Sequence, residues 1–271
     1  MCPINIWRKP MNILIVTDIE GVSGVATAGE AWDRTSEGFK EACHKLMIDV
    51  NAAIRAAADS GAEEIYVIDG HNGGGNFVVE ELDKHATQIR THDLPQLIRK
   101  VYAVVMVGYH AKAGTRYAFL DHTQSSYYFH HYYYNGKTIG ELTQIGAFAG
   151  HFDVPCVAVA GDRAACIEAK EVFGETVAVA ETKYALVKKE AICHDIKETE
   201  KAIYEAVKCG IADRDKIAPL KVSLPLEVMI EFNTTDMCDM WSANNPHAER
   251  VDGYCLRSVK EKIESFLDVL L

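Results

Sequence analysis

The sequence predicts an α/β protein built on a doubly wound, mostly parallel sheet, with a smaller α+β domain at its carboxyl end. Three observations predict it. Short, continuously apolar and β-branched runs recur along the chain, helix-length stretches separate them, and each of the first three runs leads into an acidic or imidazole side chain.

Residues 13–17 read ILIVT and end at Asp18, the pattern of a strand buried on both faces. A helix follows over about 37–60, with Phe39, Leu46, Val50, Ile54 and Ala57 near one face and Gly61 as its stop. EIYVID (64–69) is a second strand, Val79 to Leu82 a short helix, and VYAVVMV (101–107) a third strand running into Gly108, Tyr109 and His110. Strand, helix, strand crossovers of this length are right-handed, so the strands run parallel and share one carboxyl edge. SYYFHHYYY (126–134) followed by Asn135-Gly136 predicts a hairpin with a two-residue turn. A helix starts near Gly140-Glu141, and CVAVAGD (156–162) and VAVAE (177–181) are the fourth and fifth strands. Beyond Glu181 the chain is more charged, with a helix near 196–207, an alternating strand within 221–232 and a final helix over about 259–271. The expected division is an extension over 1–10, an α/β domain over 11–181 and the smaller domain over 182–271.

With 271 residues, 48% of them hydrophobic and 25% charged, the chain has material for a substantial core and no sign of disorder. A net charge of -11 argues against nucleic acid and against anionic membrane surfaces as partners. Eight cysteines without a C-X-X-C pair exclude a zinc ribbon and a thioredoxin motif, and their place in apolar runs fits a reducing cytoplasm. No stretch has the length of a signal peptide core or a membrane span.

Side chains alternate along extended chain, so Asp18 and Glu20 can point one way past the first strand, as can Asp69 and His71 past the second. Open α/β sheets bind ligands outside that edge, and with His110 the residues offer a mixed N/O donor set suited to zinc or manganese. A lone Asp at a strand end is usually a turn former or a cap. Three such strands in series are not explained by turn chemistry. The glycines of DGHNGGGN fit neither a P-loop nor a dinucleotide fingerprint and read as a flexible approach to the site.

Six ordered blocks carry a resemblance: VTDIEGVSG (16–24), IDGHNGGGN (68–76), VGYHAKAG (107–114), DH (121–122), NGKTIGELTQIGAFAG (135–150) and VPCVAVAGD (154–162). In that order they resemble the D-aminopeptidase family typified by the bacterial dipeptide-operon protein, zinc metallopeptidases of the M55 type. The resemblance implies a two-zinc site of Asp18, Glu20, His71, His110 and Glu141, with manganese the alternative metal, and His122 as the catalytic histidine. It also implies short peptide substrates, D-aminoacyl peptides foremost, and a homo-oligomer such as a ring-shaped decamer. Gly70 and Arg163 depart from the family pattern, the second where an acidic residue is common. Two other readings compete: a creatininase-like metal amidohydrolase, suggested by the GHNGGGN run but lacking that family's Glu-X-His block, and a non-catalytic peptide or metal binder. Strand alternation sends His130 and His131 to opposite faces, so at most one can look into the site.

Overall fold

A computed structural model describes residues 10–271, so the expected extension lies, apart from Pro10, outside the described residues. Seven strands make the first sheet: β1 (Asn12–Thr17), β2 (Glu64–Asp69), β3 (Ala86–Gln88), β4 (Val101–Tyr109), β7 (Cys156–Asp162), β8 (Ala178–Val187) and β9 (Glu190–Cys193). Between β4 and β7 the chain forms the hairpin β5 (Phe129–Tyr134) and β6 (Lys137–Ile139), and after β9 come β10 (Leu226–Phe232), β11 (Glu249–Arg250) and β12 (Cys255–Lys260). The first sheet has the order β3-β2-β1-β4-β7-β8-β9, and every pairing is parallel except β8 with β9. The order therefore reverses between β1 and β4.

β1 is buried at all its positions. Ile13 and Ile15 join one core and Leu14 and Val16 another, which is the two-sided burial that a continuous apolar run requires. Helices α1 (Ala28–Trp32), α2 (Glu37–Asp59) and α6 (Ile196–Ala212) cover the first face, α2 lying along α6. Ser36 caps α2 by accepting the Phe39 amide at 3.0 Å. The other core lies between the sheet and α4 (Glu141–His151), α5 (Arg163–Phe173) and a second sheet; Val104, Met106, Phe148, Ala169, Val228 and Ile230 belong to it. The short α3 (Leu94–Leu97) precedes β4, and α7 (Thr235–Asn244) packs on β10.

The second sheet has the order β11-β12-β10-β5-β6 and its pairings are antiparallel. The hairpin turn is as the sequence predicts, with φ of 48° at Asn135 and 78° at Gly136. Two expectations are corrected. Residue 181 lies inside β8, and α6 packs on β7 and β8, so the chain does not divide there; the second sheet draws strands from both sides of that point. The final helix is replaced by β12 and a single 3-10 turn at Phe266–Val269. At the start of the expected helix Val259 and Lys260 pair with Glu227 and Leu226 of β10, and this pairing outweighs local helical preference there. The short helix expected from Val79 to Leu82 is present as one 3-10 turn, Val79–Glu81.

Candidate metal centre

The reversal between β1 and β4 is where an open α/β sheet leaves a crevice at its carboxyl edge. Thr17 stands beside Asp69 of β2 and Val107 of β4, so the three strands end nearly level. The ladder continues past them: the Asp18 amide donates to Val107 O at 2.9 Å and the Gly21 amide to Gly108 O at 2.7 Å. Gly108 is needed there, because its φ is +79° and a Cβ would stand 2.1 Å from Asp18 O.

All six predicted residues meet at this edge. His71 Nδ1 lies 3.0 Å from Asp18 Oδ1 and 3.1 Å from Glu20 Oε2. His110 Nε2 lies 3.3 Å from Asp18 Oδ2 and 3.4 Å from Glu141 Oε1, Glu141 being the first residue of α4. The two oxygens of Asp18 thus face different imidazoles. His122 Nε2 sits 3.9 Å from both Glu20 Oε1 and Glu141 Oε1, with its ring stacked 4.0 Å from that of His110. Asp69 stands apart from the cluster. Its carboxylate accepts from the Asn76 amide and side chain, each at 2.7 Å, and from the Phe77 amide, while Asn76 also donates to His71 O. It folds the glycine-rich loop around His71. Asp162 caps α5 through the Ala165 amide and holds the Phe119 amide. Arg163 pairs through two nitrogens with Glu181.

The cluster is buried and acidic. Burial pushes Asp18 above its ordinary range, with Glu20 adding repulsion, whereas Glu20 and Glu141 are held low by the imidazoles despite their own desolvation. Burial alone would lower His71, but Glu20 and Asp18 together carry it up to about 11, and Asp18 and Glu141 raise His110 in the same way. Three carboxylates in so small a space call for positive charge. Glu20 Oε2 and His110 Nε2 are buried without a hydrogen-bond partner, as atoms meant for an ion would be. Carbonyls fix two of the rings: Ala111 O faces His110 Nδ1 at 2.9 Å and Leu120 O faces His122 Nδ1 at 2.7 Å, leaving each Nε2 towards the cluster. The donor set therefore fits a divalent metal of the zinc type.

Other residues shape the site without having been expected. Trp32 Nε1 donates to Glu20 Oε1 at 2.8 Å and the Gln124 amide to Glu141 Oε1 at 2.8 Å. The buried Lys183 donates to Glu20 O and Val25 O, each at 2.6 Å, and Thr182 to Gly21 O. Thr27 and Glu30 form a capping box that starts α1 and so places Trp32, and that box is readable in the sequence. Nothing local marks Lys183, since a strand lysine is ordinarily exposed.

Asp18, Glu20, His71, His122 and Glu141 line a cavity of about 460 Å³ together with apolar side chains including Ile98, Ile145, Phe148 and Phe266. A mixed carboxylate and imidazole centre at the carboxyl edge of a parallel sheet, opening on such a cavity, defines the class of α/β metal-centre hydrolases. Within it, the chain belongs to the D-aminopeptidase family, Peptidase M55, whose family model matches residues 11–271. A curated relative, the D-aminopeptidase of Bacillus subtilis (strain 168), is 27% identical over 227 residues, which is 82% of this chain and 81% of the relative. The solved structure of the Zn-dependent D-aminopeptidase DppA from Bacillus subtilis, a self-compartmentalizing protease, matches with a TM-score of 0.88 at 24% identity, covering 96% of this chain and 95% of that one. The family resemblance and the predicted fold class both hold.

Proposed function

We propose that this protein is a zinc-dependent aminopeptidase that hydrolyses short peptides from the amino end, D-aminoacyl peptides foremost, at a centre holding two ions. The carrying observation is the disposition of Asp18: one oxygen faces His71 beside Glu20, and the other faces His110 beside Glu141. That gives two subsites, each with a carboxylate, an imidazole and a share of Asp18, and manganese would suit the same donors. Zinc in such a centre supplies a water activated near neutral pH and a Lewis acid for the scissile carbonyl.

The remaining work falls to side chains. His122, tethered through Nδ1 to Leu120 O, presents Nε2 to the cavity, where it can stabilise the tetrahedral oxyanion or hand a proton to the leaving amine. The carboxylates of the cluster offer partners to the free amino group of the substrate, which restricts cleavage to the amino end. The apolar side chains of the cavity wall, Ile98, Ile145, Phe148 and Phe266 among them, offer a surface for the flanking side chain. The relative's description as self-compartmentalizing supports reading this chain as a homo-oligomer, a decameric ring being the form its family implies. Among the described residues no helix is long and apolar enough to cross a membrane. A cytoplasmic location remains part of this reading, supported by Cys43, Cys156, Cys166 and Cys238 serving as buried free thiols.

The family match removes the ground for a creatininase-like activity. A silent binder remains the reading to beat. Purified protein, a chelator-treated sample and a zinc-restored sample are compared on matched D- and L-aminoacyl peptides, with metal analysis of each. Cleavage that chelation abolishes and zinc restores is expected, and His110→Ala is expected to lose activity and metal together while staying folded. Zinc binding without hydrolysis of any peptide, or full activity in His110→Ala, would overturn the proposal.

A further inference from the structure

The second sheet carries a cluster of metal-type side chains that the proposed hydrolysis does not use. In the pairing of β5 with β10, Tyr132 opposes Ile230, His131 opposes Glu231 and Phe129 opposes Phe232, so His130 has no counterpart. Two residues of one strand facing one of the other is a β-bulge, and a bulge re-aims the side chains it carries. The alternation expected from the sequence is broken here. The rings of His130 and His131 meet edge to face with centroids 4.2 Å apart, and one ligand atom from each of His130, His131 and Glu231 lies within 4.8 Å of the others.

The detail favours an ion. His131 Nδ1 is buried without a hydrogen-bond partner and stands 3.5 Å from Glu231 Oε2. The edge of a tetrahedron with zinc-type bonds of ~2.1 Å is about 3.4 Å, so this pair is already spaced as two ligands of one ion. Tyr133 donates to Glu231 Oε2 at 2.8 Å, the kind of outer contact that fixes a ligating carboxylate. His130 is exposed while His131 and Glu231 are half-buried, so an ion has a path from solvent and room for water to complete its shell.

We propose that His130, His131 and Glu231 form a further divalent-metal site, separate from the cluster around Asp18, which takes zinc or a neighbouring transition metal. Two imidazoles and one carboxylate discriminate against magnesium and calcium, which prefer oxygen. The bound ion ties β5 to β10, strands about a hundred residues apart in sequence, and β5 leads through β6 into Glu141. The site thus fastens two strands of the second sheet and is not a second reaction centre.

The test counts ions. Chelator-stripped full-length protein is dialysed to equilibrium against zinc and analysed for metal, alongside Glu231→Gln and His130→Asn. Wild type is expected to hold one equivalent more than either variant, with peptidase activity at saturating zinc unchanged. Because the readout is a difference, it stands whatever the Asp18 cluster is found to hold. His130→Asn alters an exposed side chain, and matching thermal unfolding of the stripped proteins shows that the fold is retained. Equal metal content in wild type and both variants would overturn the proposal, as would loss of the Asp18-cluster ions in place of the extra one.

Discussion

Trp32→Phe isolates a single contact to the candidate metal centre. The change keeps an aromatic ring in α1 and removes the indole N–H that donates to Glu20 Oε1 at 2.8 Å. Glu20 is fully buried, so water does not readily replace the lost donor. A hydrogen bond to a charged group is worth about 1.5–3 kcal/mol, and at about 1.4 kcal/mol per tenfold its full loss sets an upper limit of roughly 10- to 100-fold on the weakening of metal binding, since the bond is also made without the ion. Outer contacts to metal ligands in general contribute about 10- to 100-fold in affinity, which lies within that limit. Competition against a chromophoric zinc chelator measures the affinity, and activity as a function of free zinc measures its consequence. The expected variant binds zinc 10- to 100-fold more weakly and recovers most of its kcat at saturating zinc, in keeping with that same range. Zinc affinity equal to wild type would refute the role given to Trp32 in setting the Glu20 carboxylate for an ion.

His122→Gln is expected to lower kcat by about 10²- to 10⁴-fold, the usual worth of general acid–base catalysis, while leaving metal content intact. Loss of metal in that variant would mean His122 is a ligand instead. Gly108→Ala forces a Cβ to within 2.1 Å of Asp18 O at a φ of +79°, so melting temperature and zinc content should fall together. The carboxylates hold His71 at about 11 and raise His110 above its ordinary range in the ion-free protein, so at neutral pH zinc must displace a proton from His71. Zinc affinity should rise with pH, and calorimetry in buffers of different ionisation enthalpy should detect the released protons. Burial raises Asp49 to about 6, above the value of an unfolded aspartate. Between the two pKa values the folded chain holds the extra proton, so stability falls as pH rises through that window, by about 3 kcal/mol at 1.36 kcal/mol per unit. Asp49→Asn keeps an acceptor for the Ser23 amide and should flatten that slope in urea unfolding at pH 4.5 and 7.

The parts of the fold legible in the sequence are those whose signal is local. β1, β4 and β7 announce themselves because a strand buried on both faces must be apolar throughout, and Asp18, His71 and His110 are legible because they stand where such strands end. Glu141 and His122 have no such marker. Glu141 opens a helix after a hairpin and His122 lies in a loop, so only family resemblance brings them to the cluster. The pairing of β5 with β10 joins residues about a hundred positions apart, which no local period encodes, and the bulge at His130 breaks the very alternation a reader relies on. The end of the chain misleads for a related reason: β12 pairs along β10 through Lys260, so the helix expected over about 259–271 loses its first residues to the sheet.

Lys183 reaches from β8 to grip the carbonyls of Glu20 and Val25, and its neighbour Thr182 grips that of Gly21. A chain ending at residue 181 would still carry Asp18, Glu20, His71, His110, His122 and Glu141, the whole candidate centre. It would nevertheless lack the two side chains that fasten the loop bearing Glu20, the remainder of β8, and α6 with the apolar face it lays over β7 and β8. Possession of the candidate residues and possession of the framework that holds them together are therefore different things in this protein. Its smallest competent unit is set by the fastening, and that runs well beyond the last residue of chemical interest.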